Sequence, residues 1–116
     1  MIEEIANQRM DPEAKAKWIE ALRSGIYPQT QKILRNDEGF CCLGVACDVF
    51  GARWKPARSS DSSYFAVAKG EAQSAIIPTP IRDKIGLGAD DEWTLTRIND
   101  NGHSFAEIAD WIEANL

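Results

Sequence analysis

The sequence predicts a single α+β domain, with four to five helices packed on a small, mainly antiparallel sheet of two to four strands. Three observations carry that prediction. The chain has 116 residues and is 44% apolar, enough for one real core and too little for two. Both ends carry helix punctuation, Asp11-Pro12 at one and Ser104-Phe105-Ala106-Glu107 at the other. Between them, short apolar stretches are broken every few residues by Gly, Pro, Asp and Ser, the spacing of strands and turns.

The elements follow in order. Residues 1–9 read as a weak helical stretch (Ile2, Ile5, Ala6) and residues 1–10 as an N-terminal extension, with Met10 as an alternative start. Asp11 can cap a helix that Pro12 begins; Ala14, Trp18, Ala21 and Leu22 share one face, and Ser24-Gly25 ends it. Ile26-Tyr27-Pro28-Gln29 is a bent linker. Lys32-Ile33-Leu34-Arg35 reads as a short strand, Asp37-Glu38-Gly39 as a turn, and Phe40-Cys41 as a returning strand. From there to Phe50 the chain is apolar on every side, a buried helix on which Gly44 marks the close approach of a neighbour.

The second half is looser. Arg53-Trp54-Lys55 reads as a strand ended by Pro56, and Ser59 to Ser63 as a polar loop. Tyr64 to Ala68 and Ser74 to Ile77 read as strands joined by Lys69-Gly70-Glu71. Thr79-Pro80 is expected to cap and start a short helix stopped by Gly86 and Gly88. The stretch Trp93, Leu95, Ile98 fits helix or strand and ends in the turn Asn99-Asp100-Asn101-Gly102. Phe105, Ile108, Ala109 and Ile112 form the apolar face of a last helix. The expected core is Trp18, Leu22, Leu43, Val45, Val49, Ile77, Phe105, Ile108 and Ile112.

Composition narrows the function. Net charge is −5, divided unevenly: residues 1–58 sum to +1 and residues 59–116 to −6. An acidic chain without a dense Lys/Arg run is a poor candidate for nucleic-acid binding. The helix-turn-helix look of Leu95 to Ile112 fails for the same reason, since Glu107, Asp110 and Glu113 on its second helix would be repelled by phosphates. No apolar run reaches the ~18 residues of a membrane span. The acidic start, Met1-Ile2-Glu3-Glu4-Ile5, is unlike a signal peptide, so a cytoplasmic protein is expected.

Chemistry-bearing groups are sparse. Cys41, Cys42 and Cys47 read as reduced core thiols. A nucleophile would need a base beside it, and the sole histidine, His103, sits in a distant turn, with Asp48 the residue that would orient it. CC-x4-C plus one His is a weak zinc pattern. Asp37-Glu38 and Asp90-Asp91-Glu92 lie where capping and solubility place acids. No catalytic residue, metal or cofactor is expected. What remains is Arg53, Trp54, Lys55 and Arg58 beside the serine loop, followed by Tyr64, with Tyr27, Gln29 and Arg35 near turns flanking the central segment. Arg and Lys attract phosphates, and Trp and Tyr offer stacking faces. Tyr27, Gln29, Arg35, Arg53, Trp54, Arg58 and Tyr64 are therefore the candidate ligand-binding set.

Three blocks also carry a resemblance: Trp18-Ile19-Glu20-Ala21-Leu22-Arg23-Ser24-Gly25-Ile26-Tyr27 with Gln29; Phe40-Cys41-Cys42-Leu43-Gly44-Val45 with Cys47-Asp48; and Ile98-Asn99-Asp100 with Gly102 and Ser104-Phe105-Ala106-Glu107-Ile108-Ala109. The pattern resembles small hypothetical proteins of phages, prophages and some bacteria. It spans most of residues 11–113 but not 53–77. The resemblance implies a small accessory protein of a phage or mobile element that binds a host protein or a host signal. The expected function is a non-enzymatic binding protein that sequesters an anionic, nucleotide-like signal of host defence. The alternative is an inhibitor of a host protein acting through the acidic second half, and a Cys- or carboxylate-dependent hydrolase comes third. The expected partner is thus a small anionic ligand or a host protein, with homo-oligomerisation left open and neither nucleic acid nor membrane involved.

Overall fold

A computed structural model describes residues 10–57 and 62–116, and the helix frame within it is set by capping and apolar spacing. Helix α1 (Pro12–Arg23) starts where Asp11 Oδ2 accepts the Ala14 N–H at 3.0 Å. Ser24 closes it in helical conformation, and Gly25 (φ +78°) supplies the left-handed exit. Its buried face is Ala14, Trp18 and Leu22. The last helix, α5 (Phe105–Asn115), has the expected capping box in both directions: Ser104 Oγ accepts the Glu107 N–H, and Glu107 Oε1 accepts the Ser104 N–H. It lies against α1, where Arg23 bridges to Asp110 (2.7 Å) and Glu113 (3.0 Å).

Between them runs α2 (Cys42–Val49), buried from Cys42 to Cys47. Cys41 is its N-cap, with Sγ accepting the Gly44 N–H at 3.4 Å. A methyl group on Gly44 would collide with the Leu34 carbonyl, the close approach read from the sequence. Trp18 Nε1 donates to the Cys42 carbonyl at 3.0 Å, tying α1 to α2 inside the core. Of the expected core residues only Val49 is partly open; Trp18, Val45, Ile108 and Ile112 are fully buried.

Two small antiparallel sheets complete the described residues, together with five helices. A hairpin pairs β1 (Arg35–Asn36) with β2 (Gly39–Phe40). The second sheet has the order β3 (Arg53–Pro56), β4 (Tyr64–Ala68), β5 (Glu71–Gln73). Helices α3 (Thr79–Ile85) and α4 (Ala89–Asp100) follow. No helix among the described residues is long and apolar enough to cross a membrane.

Several boundaries move from their sequence expectations, each for a local reason. The strand expected over 32–35 is confined to Arg35–Asn36, because Lys32 is left-handed (φ +71°) and donates its N–H to Asp100 Oδ1. Cys41 leaves β2 to cap α2. The strand expected over 74–77 lies earlier, at Glu71–Gln73. Lys69 and Gly70, both left-handed (φ +49° and +85°), form a two-residue turn that returns the chain at once. Thr79 is the first residue of α3 rather than its cap; Glu71 receives its N–H and hydroxyl instead. The ambiguous 93–98 stretch is helical, and α4 runs through Asn99 and Asp100 so that the turn shrinks to Asn101-Gly102.

Candidate ligand-binding site

Four of the seven candidate residues meet around one guanidinium. Arg35, on β1, lies over three rings, 4.6 Å from the centroid of Tyr64, 5.0 Å from Phe40 and 5.4 Å from Trp54. Tyr27 packs edge-on against Phe40 at 5.0 Å, and Phe40 against Trp54 at 5.8 Å. Carboxylates fix the polar rims: Asp48 accepts from Tyr27 Oη (2.6 Å) and Trp54 Nε1 (3.0 Å), and Asp37 from Tyr64 Oη (2.8 Å). Burial, then the Asp48 bond, pushes the Tyr27 phenol up to about 12. The bond to Asp37 raises Tyr64.

This cluster is already occupied by a cation. The ring faces that would stack on a base hold Arg35, and Asp37 and Asp48 stand at the rim where a phosphate would be repelled. Sequence reasoning named Tyr27, Arg35, Trp54 and Tyr64 but missed Phe40, the ring that joins them. Gln29 lies apart, its Nε2 donating to Asn99 Oδ1 (3.0 Å) and the His103 carbonyl (2.8 Å). Arg58 lies outside the described residues.

Arg53 goes to a different place. Successive strand residues face opposite ways, so the neighbour of Trp54 points away from the aromatic cluster. It lines a cleft of about 510 Å³ with Phe50, Gly51, Val67, Ala68, Lys69, Pro80, Ile81 and Lys84. Three of these residues are cationic and none is acidic. No described side chain forms a hydrogen bond or ion pair with Arg53, Lys69 or Lys84. A second cleft of about 410 Å³ shares Phe50, Gly51 and Lys84 and adds Asp11, Glu13 and Lys17. The Asp11 N–H donates to the Ile85 carbonyl at 3.0 Å, which ties the start of α1 to the end of α3 beside the second cleft.

Lys69 and Lys84 were not legible as site residues. One sits in a tight turn and one in the last turn of a short helix, ordinary places for lysine, and only the fold brings them to Arg53. A cleft of about 980 Å³ between α1 and the end of α5 also holds three cations, Lys15, Lys17 and Arg23, but mixes them with the acids Glu20 and Glu113. There Arg23 is engaged by Asp110 and Glu113, and Lys15 Nζ donates to the Glu113 carbonyl.

The other chemistry-bearing groups are committed to structure. All three thiols are free and buried; burial pushes Cys41 up to about 12 and raises Cys42 and Cys47 strongly as well. His103 lies 3.4 Å from Glu107, its i+4 neighbour. Glu92 is buried, accepting the Ile77 N–H at 2.7 Å and an ion pair from Arg82 at 3.2 Å. No group of three or more His, Cys, Asp or Glu among the described residues is arranged to hold a metal ion.

No curated protein and no solved structure matches the chain. Residues 10–116 match a family described as a domain of unknown function, DUF8296. The match takes in all but the first nine residues, and the chain belongs to that family.

Proposed function

We propose that the chain is a non-enzymatic binding protein that takes up a small, anionic, nucleotide-like ligand in the cleft of Arg53, Lys69 and Lys84. The observation that carries the reading is the meeting of three cations that pair with no acid among the described residues, from β3, the β4–β5 turn and α3, on a chain of net charge −5. Cations gathered in a cleft without acidic partners attract phosphate more strongly than the same charges scattered on a surface. The volume suits such a ligand, since small-molecule sites span about 300–1,000 Å³. The resemblance to phage accessory proteins supplies the setting, sequestration of a signal used in host defence.

The test is native mass spectrometry of protein purified from cells, followed by titration with a panel of nucleoside mono-, di- and cyclic phosphates. Arg53→Ala and Lys69→Ala each remove a charge-assisted contact of about 1.5–3 kcal/mol, which weakens binding roughly 10- to 150-fold. Added salt weakens it further. Absence of any bound or binding nucleotide, or affinities indifferent to both substitutions, rejects the reading.

A second reading, inhibition of a basic host protein through the acidic half, draws support from α4. Trp93 is 62% exposed, is stacked by Arg97 at 4.8 Å and follows the exposed Asp90. Within the acidic run Asp90-Asp91-Glu92, Asp91 and Glu92 are buried, so Asp90→Lys and Trp93→Ala are the informative changes. Loss of a co-purifying protein in these variants, with nucleotide binding intact, favours the second reading over the first. A thiol hydrolase fits less well, because burial keeps all three cysteines protonated.

A further inference from the structure

The two clefts that meet at Phe50 differ in charge. On one side stand Arg53 and Lys69 without an acid; on the other, Lys17 is accompanied by Asp11 and Glu13. Lys84 and the Phe50–Gly51 floor belong to both. Phosphates are therefore favoured on one side of Phe50 only. Phe50 itself closes α2, packs partly buried against the core and lines both clefts. An ideal Cβ on Gly51 meets nothing within 4 Å beyond its own chain neighbours, so the backbone next to Phe50 is open.

Resting on the reading of the Arg53 cleft as an anion site, we infer that the ligand is a nucleoside phosphate lying across both clefts, its base stacked on Phe50 and its phosphates on Arg53, Lys69 and Lys84. Phe50 is then the residue that separates a nucleotide from a bare phosphate. An aromatic floor recognises a planar base through its π-face, and the cations recognise only charge. The aromatic cluster around Arg35 is a poorer phosphate-bearing site, since that guanidinium already lies over Phe40, Trp54 and Tyr64 and the carboxylates Asp37 and Asp48 stand at its rim.

The experiment compares ADP with pyrophosphate on the full chain by calorimetry. ADP binds the parent protein more tightly than pyrophosphate does. Phe50→Leu weakens ADP by about 5- to 150-fold, the usual loss on removing a stacking partner, and leaves pyrophosphate unchanged. Lys69→Ala weakens both. Phe50→Trp, which keeps a stacking face if the leucine variant is unstable, retains ADP binding and adds a fluorescence signal quenched by ADP and not by pyrophosphate. If ADP and pyrophosphate bind equally and neither responds at Phe50, the stacking inference falls while the anion site stands. If neither binds the parent protein, the anion site falls with it.

Discussion

Asn99 is the position at which the fold itself can be tested hardest. It is fully buried, and its amide is spent in three directions. Oδ1 accepts the Cys42 N–H at 3.1 Å and Gln29 Nε2 at 3.0 Å, and Nδ2 donates to the Thr30 carbonyl at 2.9 Å. Gln29 keeps the His103 carbonyl if Asn99 is lost, but Cys42 N–H and Thr30 O are left without partners. Each orphaned buried group costs about 1–3 kcal/mol, so Asn99→Ala is expected to cost about 2–6 kcal/mol. A water entering the vacated space would find Cys42, Gln29 and Thr30 as partners, which draws the loss toward the lower end. With a urea slope of about 1–3 kcal/mol/M, the unfolding midpoint followed by tryptophan fluorescence falls by roughly 1–2 M. Asn99→Asp sharpens the reading. It keeps both accepted bonds but turns a carboxylate toward the Thr30 carbonyl, so burial favours the protonated form, which can donate there. Its deficit relative to the parent protein therefore shrinks as pH falls from 7 to 4. An Asn99→Ala protein within 0.5 kcal/mol of the parent would refute the hub, since a surface substitution moves stability about that much.

Three further predictions follow from particular contacts. Gly44→Ala drives a methyl group into the Leu34 carbonyl and costs about 1–3 kcal/mol or more by denaturant titration; a neutral or stabilising effect would mean that the contact is absent. The Tyr27 phenol, held near 12, favours the folded state below about pH 10 and loses that contribution as pH rises toward 12; Asp48→Asn lowers its ultraviolet-monitored pKa toward, though not to, the ordinary value, because burial remains the larger cause. The cysteines should resist a thiol reagent at neutral pH until denaturant is added, and Cys47→Ala should cost about 1–2 kcal/mol through lost packing; rapid labelling of native protein contradicts both statements.

How much was legible divides along physical lines. Helices declared themselves where capping chemistry and 3.6-residue spacing agree, as at Asp11-Pro12 with Trp18 and Leu22, and at Ser104 to Glu107 with Ile108 and Ile112. Strands were misplaced where the deciding interaction is not local. Glu71 taking the Thr79 N–H, and Asp100 taking the Lys32 N–H, link residues that no periodicity relates. The same holds for the site. Alternation along β3 separates Arg53 from Trp54, so neighbours in sequence serve different faces. Conversely Arg35 meets Phe40 as its cross-strand partner in the β1–β2 hairpin, but reaches Trp54 and Tyr64 only because β1 lies beside β4.

The three sequence blocks singled out above acquire a physical meaning from this arrangement. Trp18 comes from the first, Cys42 from the second and Asn99 from the third, and the bonds Trp18 to Cys42 and Cys42 to Asn99 join all three in the core. Gln29 and Gly44 belong to the same frame. The blocks therefore specify how α1, α2 and α4 pack, and they are silent about a ligand. Arg53 and Lys69 lie within residues 53–77, which the blocks leave out, and Lys84 lies outside the blocks too. Proteins that share this frame are thus free to line the cleft with different charges. On this reading, exchanging residues 53–77 between two such proteins should transfer ligand preference with the segment while leaving the Asn99-dependent stability in place. Ligand preference that instead followed the three blocks would put the site elsewhere in the frame, and the Arg53 cleft would then be ordinary solvated surface.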